Sequence, residues 1–429
     1  IYPPEPSVKL VVDTIEFQSR FVRKWHSVSI SGYHIREAGS TAIQELAFTL
    51  RDGMEYVEAA MLRGLDVNDF GPRLSFFFNS HNEFFEEICK LRAARRIWAR
   101  MMKDRYGATS PKAWYMKTHV QTAGCSLTEQ QPLNNIVRVA YQAMAAVLGG
   151  CQRLHTDSMD ETLGLPTEQA VTVALRTQQI LAHETGVTRV TDPLGGSWFI
   201  EALTDKMEEE ALNYIAEIDE MGGGAWVSGR SALRADASDA SGRSALRADA
   251  SAGSALESGA STNSGGNSGN NSGGYGGVVE GIHRGYFRRK IAEASYRFSE
   301  ECEAKDRIIV GVNEYVDKEE GRPIDILMIP DSVETEQVDR LRAFKAKRNA
   351  SHVAQALDNI RAACQGKPYT LVHDLPGIPK DAFAKQGGPL HETNVMPTLI
   401  DGALCNCTLG EMVQAMADIY GRYAGGPEW

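Results

Sequence analysis

The 429-residue chain lacks an excess of basic charge and lacks a long apolar run. Its 45 lysines and arginines are outnumbered by 56 aspartates and glutamates, and the net charge is −11. Without a basic cluster, this balance argues against nucleic acid or an anionic membrane surface as the main partner. No apolar run reaches the ~18 residues of a membrane span, and no signal peptide is recognisable. A phosphorylated small molecule needs only a few local cations and is compatible with this charge.

Cysteines are few and do not form a ligand pattern. The seven are odd in number and widely spread, and Cys405 and Cys407 lie in a helical pattern with no second pair to match them. The sequence therefore predicts reduced thiols, no metal site and a cytoplasmic location.

Motifs of several large enzyme classes are also missing. The chain has no G-x-x-x-x-G-K, no H-E-x-x-H, no nucleophile elbow and no G-x-G-x-x-G after a predicted strand. Two glutamates at predicted strand ends are compatible with glycoside hydrolysis. That alternative is disfavoured because neither glutamate belongs to an aromatic-rich platform that would bind sugar rings.

What the chain does contain is a recurring strand-then-helix pattern between residues 27 and 185. The strand candidates begin near residues 27, 73, 114 and 151 and read "SVSISGYH", "RLSFFF", "WYMKTHV" and "CQRLH". Strands that alternate with amphipathic helices imply parallel βα units. A repeat of about 40 residues without a dinucleotide fingerprint favours a (β/α)8 barrel, although four units cannot close one.

Local signals predict several further elements. In "SLTE", Ser126 and Glu129 form a capping box that predicts a helix start. A fifth strand-and-helix segment is predicted over 187–223, and "RIIVGVNEY" and "IDILMIP" have the composition of strands. Residues 223–276 repeat "SGRSALRADAS" and are otherwise rich in glycine and serine. They predict a disordered insert that interrupts one continuous structural region.

Polar residues recur at what we expect to be the carboxyl ends of the four predicted strands, which is where a βα barrel carries its active site. They are Tyr33, His34 and Glu37 after the first strand, Arg73 and Ser75 around the second, His119 and Gln121 after the third, and Gln152, His155, Asp160 and Glu161 after the fourth. Each has a purely structural explanation when taken alone. Their recurrence predicts an active site without naming its reaction, and His34 with Asp160 as general acid and base is one possibility.

Longer motifs closely resemble a known family. They are "YPPEPS", "SISGYHIREAG", "PRLSFFF", "KLRAARRIWA", "QTAGCSLTEQQPLNNIVR", "GGCQRLHTDSMDETLGLPTE" and "TRVTDPLGGS". These resemble the large subunit of methylmalonyl-CoA mutase and of its relatives that act on isobutyryl-CoA or 2-hydroxyisobutyryl-CoA. The likeness covers residues 1–222 and resumes at 277.

The resemblance implies an N-terminally truncated copy with an α/β fold. Residues 1–222 would form the C-terminal half of an acyl-CoA-binding TIM (β/α)8 barrel, and 277–429 a mostly helical C-terminal region with short strands. The family uses adenosylcobalamin to generate a radical, and the thioester group of an acyl-CoA then migrates to the neighbouring carbon. In the family, the barrel strands that select the acyl group lie upstream of the position of Ile1, so the substrate is not specified by this sequence.

The resemblance also assigns roles to the strand-end residues. His34 would hydrogen-bond the thioester carbonyl, and Tyr33 would shield the radical from solvent. The implied catalytic residues are His34, Tyr33 and Gln121. The implied substrate-binding residues are Arg73, Ser75 and Gln152, with the Arg73 guanidinium suited to a CoA phosphate. The positions implied to face cobalamin are Glu37, Gly124 and Glu161.

Two departures from the family pattern bear on partners. None of the ten histidines follows an aspartate by two residues, so the D-x-H-x-x-G motif whose histidine coordinates cobalt is missing. Relatives with separate subunits carry that motif on a small cobalamin-binding subunit, which implies a hetero-oligomer here. Cys125 stands where the family commonly has tryptophan. The alternative is a non-catalytic remnant that binds CoA or a partner subunit.

Overall fold

The computed structural model describes residues 1–22, 24–222, 276–317, 324–375 and 390–425. Within these ranges four parallel strands form one sheet in the order β1-β2-β3-β4. The strands are β1 (Val28–Ser31), β2 (Leu74–Ser80), β3 (Thr118–Thr122) and β4 (Arg153–His155). All four predicted strands are therefore confirmed, with bounds that differ by a few residues. The α/β class with a parallel sheet is confirmed as well, whereas a half barrel stays a prediction because the described strands form an open sheet.

Helices precede, connect and follow these strands. In the first half of the chain they are α1 (Pro4–Phe21), α2 (Tyr33–Glu37), α3 (Ala42–Leu62), α4 (Val67–Phe70), α5 (Phe84–Arg100), α6 (Pro111–Trp114), α7 (Asn134–Leu148), α8 (Glu168–His183) and α9 (Trp198–Met221). In the second half they are α10 (Gly277–His283), α11 (Tyr286–Glu303), α12 (Asp331–Lys347), α13 (Ala350–Cys364), α14 (Met396–Leu404) and α15 (Leu409–Tyr420). None of the helices in the described ranges is both long and apolar enough to cross a bilayer.

One face of the sheet packs against helices α3 and α5. Ile30, Phe76 and Val120 are fully buried on this face, and Phe76 meets Trp98 of α5 with ring centroids 4.7 Å apart. A Cβ added to Gly53 of α3 would lie 3.1 Å from Phe76 and 3.2 Å from Ile30. A side chain at position 53 would therefore require Phe76 and Ile30 to move by a few tenths of an ångström. This burial sets the side of the sheet that faces the core.

The opposite face carries the polar and aromatic side chains of the same strands. Register places Phe77 opposite His119 and His119 opposite Arg153, while Gln121 lies opposite His155. These side chains are half-buried or exposed. Parallel sheets are usually covered on both faces, so this open face is the unusual feature of the fold and the place to look for a site.

Four local predictions are wrong. Ser126 lies in a 3₁₀ turn, and the helix that follows begins at Asn134, so "SLTE" is not a capping box. The predicted fifth strand is a 3₁₀ turn over Val187–Arg189 ahead of α9. "RIIVGVNEY" forms only an isolated bridge between Val310 and Glu314, and residues 324–330 are irregular.

The predicted insert at 223–276 lies outside the described residues except for its last position. The residues on either side of the interval are neighbours. A Cβ on Gly222 would lie 2.5 Å from the backbone nitrogen of Gly277, and the Gly276 amide donates to Glu55 in α3 at 2.5 Å. The chain therefore leaves α9 and re-enters α10 at the same place, while the proposed domain boundaries stay predictions.

The C-terminal helices α13, α14 and α15 pack on one another and on α1. The Asn394 amide donates to the Asp13 carbonyl at 3.0 Å and to the Glu16 carboxylate at 2.9 Å. Tyr2 reaches α15 through a hydrogen bond from its hydroxyl to the Val413 carbonyl at 3.1 Å. These contacts hold the two ends of the described chain together.

Candidate functional site

Tyr33 and Gln121 meet at the carboxyl end of the sheet. Tyr33 opens α2, the short helical turn that follows β1, and Gln121 is the fourth residue of β3. The Gln121 amide donates to the Tyr33 hydroxyl at 2.9 Å and to the Asp157 carboxylate at 2.8 Å. The Tyr33 ring stacks on Phe77 with centroids 4.8 Å apart and planes 11° from parallel. Burial and the charge of Asp157 raise the pKa of Tyr33, so the phenol stays protonated.

Asp157 organises this end of the sheet, although the sequence analysis did not select it. Its side chain is 2% exposed and also accepts a hydrogen bond from the Thr122 hydroxyl at 2.9 Å. His155 lies 3.5 Å away, and the hydrogen bond to Asp157 raises the pKa of that imidazole. The signal that could have found Asp157 is its position two residues beyond β4, inside the motif "LHTDS".

Glu37 is held from two sides. The Asn79 amide donates to one carboxylate oxygen at 2.6 Å, and the Cys125 backbone amide donates to the other at 2.8 Å. Burial nevertheless raises the pKa of Glu37. Asn79 was also missed by the sequence analysis, because its contact with Glu37 joins residues far apart in the chain.

A buried ionic cluster lies behind Asn79. Lys90 is fully buried and contacts the Glu45 carboxylate at 2.5 Å, the Asn79 carbonyl at 2.9 Å, and Glu87. Glu45 in turn accepts a hydrogen bond from the backbone amide of Asn79 at 2.7 Å. Two carboxylates face one ammonium in this cluster, and burial raises the pKa of Glu45 to about 7. The cluster fixes the end of β2 that holds Glu37.

Gly124 lies next to the side chains of Glu37, Tyr33 and Glu161. A Cβ at this position would lie 3.3 Å from a Glu37 carboxylate oxygen, 3.6 Å from the Tyr33 hydroxyl and 3.8 Å from Glu161. The absence of a side chain therefore leaves room among three polar groups. Partial burial, and then the charge of Asp157, raise the pKa of Glu161.

His34 lies beside this group and is exposed. Its Nδ1 is 3.0 Å from the Ser31 hydroxyl, and its ring meets those of Tyr33 and Phe77 at edge-to-face angles with centroids 5.6 and 6.3 Å away. An imidazole held on one nitrogen and open to solvent leaves its other nitrogen free to contact a ligand.

Arg73, Ser75 and Gln152 lie at the opposite, amino end of the strands. Arg73 directly precedes β2 and donates to the Gln18 carbonyl at 3.0 Å, and Ser75 donates to the Val28 carbonyl at 3.0 Å. Gln152 precedes β4, and its side chain accepts from the Thr118 amide at 2.6 Å. The expectation that these three residues lie at the carboxyl ends of the strands is therefore wrong, because β2 begins only at Leu74 and β4 only at Arg153. The predicted site residues form two groups at opposite ends of the sheet.

Two further candidate site residues make contacts that stabilise the fold. Asp160 is buried and accepts hydrogen bonds from the Thr167 amide at 2.9 Å and its hydroxyl at 3.0 Å, so it supports the residue that caps α8. This position disfavours an acid–base pair of His34 and Asp160. His119 packs on Phe77 with centroids 4.7 Å apart, and burial lowers the pKa of its imidazole.

The chain is similar to known proteins along nearly its whole length. The family model for methylmalonyl-CoA mutase matches residues 1–252 and 272–422. The chain is 38% identical over 429 residues to a methylmalonyl-CoA mutase of Rhizobium meliloti, covering 100% of this chain and 49% of that protein. It is 37% identical over 426 residues to a probable mitochondrial methylmalonyl-CoA mutase of Caenorhabditis elegans, covering 99% of this chain and 46% of that protein.

A relative that is named for a different activity is also similar. The 2-hydroxyisobutanoyl-CoA mutase large subunit of Aquincola tertiaricarbonis is 33% identical over 427 residues, covering 100% of this chain and 62% of that protein. The chain spans about half the length of the methylmalonyl-CoA mutases it matches. Because the family model covers most of the sequence, the predicted resemblance is confirmed. The chain belongs to the methylmalonyl-CoA mutase family.

Proposed function

We propose that this chain is the large-subunit part of an adenosylcobalamin-dependent mutase that rearranges the carbon skeleton of a short branched acyl-CoA. The observation that carries the proposal is the division of the predicted residues into two groups. Tyr33, Gln121, Glu37, Gly124 and Glu161 converge at the carboxyl end of the sheet, whereas Arg73, Ser75 and Gln152 lie at the amino end. An elongated acyl-CoA threaded along the open face would place its phosphates and its acyl group at opposite ends.

The surface around Gly124 is where we propose that the cofactor would lie. A side chain at this position would enter the space between Glu37, Tyr33 and Glu161, and these groups offer polar contacts for the amide edge of a corrin. Adenosylcobalamin, when bound, supplies the radical chemistry that removes a hydrogen atom from the substrate and returns it. Glu37, Gly124 and Glu161 would hold it.

The chain's own residues would position the acyl group and exclude water. With the Ser31 hydroxyl donating to Nδ1 of His34, the ring proton lies on Nε2, which then donates to the thioester oxygen. Tyr33, stacked on Phe77 and hydrogen-bonded to Gln121, covers the reacting carbon as a neutral phenol. At the other end, the Arg73 guanidinium would bind a phosphate of the CoA tail.

The substrate we favour is of the methylmalonyl-CoA/succinyl-CoA type, because the family model and two of the relatives above carry that name. An isobutyryl-CoA or 2-hydroxyisobutyryl-CoA substrate is the second candidate, supported by the similarity to a 2-hydroxyisobutanoyl-CoA mutase large subunit. That relative is named a large subunit, and we propose by analogy a hetero-oligomer here in which the partner is a small cobalamin-binding subunit. A cytoplasmic location stays a prediction.

The proposal is tested in an assembled enzyme that contains this chain, a cobalamin-binding small subunit and the complementary barrel strands. Isomerisation of methylmalonyl-CoA, isobutyryl-CoA and 2-hydroxyisobutyryl-CoA is followed by mass spectrometry, with and without adenosylcobalamin. We expect His34→Ala to lower turnover by about 10²–10³, the scale for losing one preorganised donor. His183→Ala, an exposed position at the end of α8, is the matched control and should leave turnover unchanged.

Two results would count against the proposal. If none of the three acyl-CoA esters rearranges with the cofactor present, the non-catalytic alternative is favoured. A loss below threefold in His34→Ala would remove this imidazole from the mechanism even in an active enzyme.

A further inference from the structure

His373, Asp401 and Cys405 converge in the C-terminal helical region, away from the sheet. Nδ1 of His373 lies 3.0 Å from Oδ1 of Asp401 and 3.5 Å from Sγ of Cys405. Sγ of Cys405 lies 3.8 Å from the same Asp401 oxygen. One nitrogen, one oxygen and one sulfur atom therefore form a compact triangle.

We propose that these three side chains form a binding site for a divalent transition-metal ion of the Zn²⁺ class. With bonds of about 2.0 Å to nitrogen and oxygen and about 2.3 Å to sulfur, tetrahedral coordination separates ligand atoms by about 3.3–3.6 Å. The observed separations of 3.0, 3.5 and 3.8 Å differ from these values by a few tenths of an ångström. Small side-chain rotations would be enough to admit the ion.

The supporting structure around the three residues favours a fixed site. Asp401 lies in α14 and Cys405 is the residue that ends that helix, so the two ligands are four positions apart on one helix face. Asp401 is fully buried and Cys405 is 3% exposed. The backbone amides of Val372 and His373 donate to the Asp401 carboxylate at 2.8 and 3.0 Å, which fixes its orientation.

The fourth position would face solvent. The His373 side chain is 38% exposed, and the ring of His352 lies edge-on to it with centroids 5.9 Å apart. Within the described residues, these three side chains form the group with ligand atoms all within 4.8 Å of one another. A water molecule would complete the coordination, as in zinc sites with three protein ligands.

Metal binding would displace a proton from the cluster. Formation of the metal–sulfur bond transfers the thiol proton of Cys405 to solvent, and the electron pair of the former S–H bond becomes the bonding pair. An ion here would tie the loop at 370–375 to α14.

The site is tested by titrating the purified full chain with Co²⁺ and recording its visible and near-ultraviolet absorption. We expect tetrahedral d–d bands and a thiolate charge-transfer band that saturate at about one Co²⁺ per chain and disappear on addition of Zn²⁺. Cys405→Ser should abolish the charge-transfer band. His373→Gln should weaken Co²⁺ binding at least tenfold, and because this side chain is partly exposed the variant should fold normally.

Cys407→Ser is the matched control. Cys407 is also buried, but its sulfur contacts the Val353 carbonyl at 3.9 Å and is not part of the triangle. This variant should keep the wild-type spectrum, and Zn²⁺ should raise the melting temperature of wild type and Cys407→Ser but not of His373→Gln. Absence of a saturable band, or a band that survives in Cys405→Ser, would overturn the proposal.

Discussion

Replacing Lys90 with methionine should lower the free energy of unfolding by about 3–5 kcal/mol at pH 7.5, the cost of leaving buried charges unpaired. Lys90 is fully buried between Glu45 and Glu87 and donates to the Asn79 carbonyl. Methionine fills a similar volume but supplies neither the positive charge nor the donor. The two carboxyl groups would then face each other in the core without a cation.

The expected magnitude can be worked from proton binding. Burial already raises the pKa of Glu45 to about 7 with Lys90 present, so the loss of the ammonium is counted on the second carboxyl group of the cluster. A carboxyl group with an ordinary pKa near 4.5 that is forced to bind a proton at pH 7.5 costs about 4 kcal/mol, at 1.36 kcal/mol per pH unit. The desolvation of the lysine ammonium, which the variant no longer requires, offsets part of this cost. Because the free-energy cost of binding this proton falls as the pH falls, the difference in the free energy of unfolding between Lys90→Met and wild type should shrink toward about 1 kcal/mol near pH 5.

Urea unfolding followed by circular dichroism at pH 7.5 and pH 5 measures both quantities. Lys206→Met is the matched control, because its side chain is 70% exposed and its ammonium lies 3.7 Å from Glu210. It should change stability by less than about 1 kcal/mol. A loss below about 1 kcal/mol for Lys90→Met at pH 7.5, or a loss that does not depend on pH, would refute the reasoning.

Two other stability measurements test separate features. Burial raises the pKa of Asp52 to about 7, so between about pH 4 and pH 7 the folded state binds a proton that the unfolded state has released, and stability falls as pH rises. Asp52→Asn should flatten this part of the pH–stability curve in urea unfolding, and an unchanged slope would contradict the assignment. Replacing residues 223–275 with a short glycine linker should keep a single cooperative unfolding transition, because Gly222 and Gly277 are adjacent. Loss of that transition would show that the interval stabilises the fold.

The sequence predicted the first three strands because each has an apolar face that must be buried. Ile30, Phe76 and Val120 are on that face, and period-two alternation marks it without any knowledge of partners. The grouping of Tyr33 with Gln121 followed from the rule that parallel strands end at one edge. The sequence did not predict that Gln152 lies at the other end of the sheet. The reason is that a sequence pattern locates the first residue of a strand only to within a few residues.

The missed elements depend on contacts between distant residues. The Ser126 hydroxyl donates to the Ala123 carbonyl and accepts a hydrogen bond from Gln142, so it does not cap a helix. Residues 326–329 have strong strand propensity but are exposed, with Met328 79% accessible. Within the described chain these residues do not pair with a neighbouring strand, and propensity without a partner does not make a sheet.

The alternation along β3 has a consequence for how the site tolerates change. If this strand slipped by one residue against β2, His119 and Gln121 would turn toward the helices and Val120 would turn outward. Polar atoms would then be buried without partners, and Gln121 would leave both Tyr33 and Asp157. Buried apolar residues therefore determine the positions of the side chains that face the site. A polar substitution at Val120 would weaken both folding and ligand binding, because it would favour the same displacement of β3.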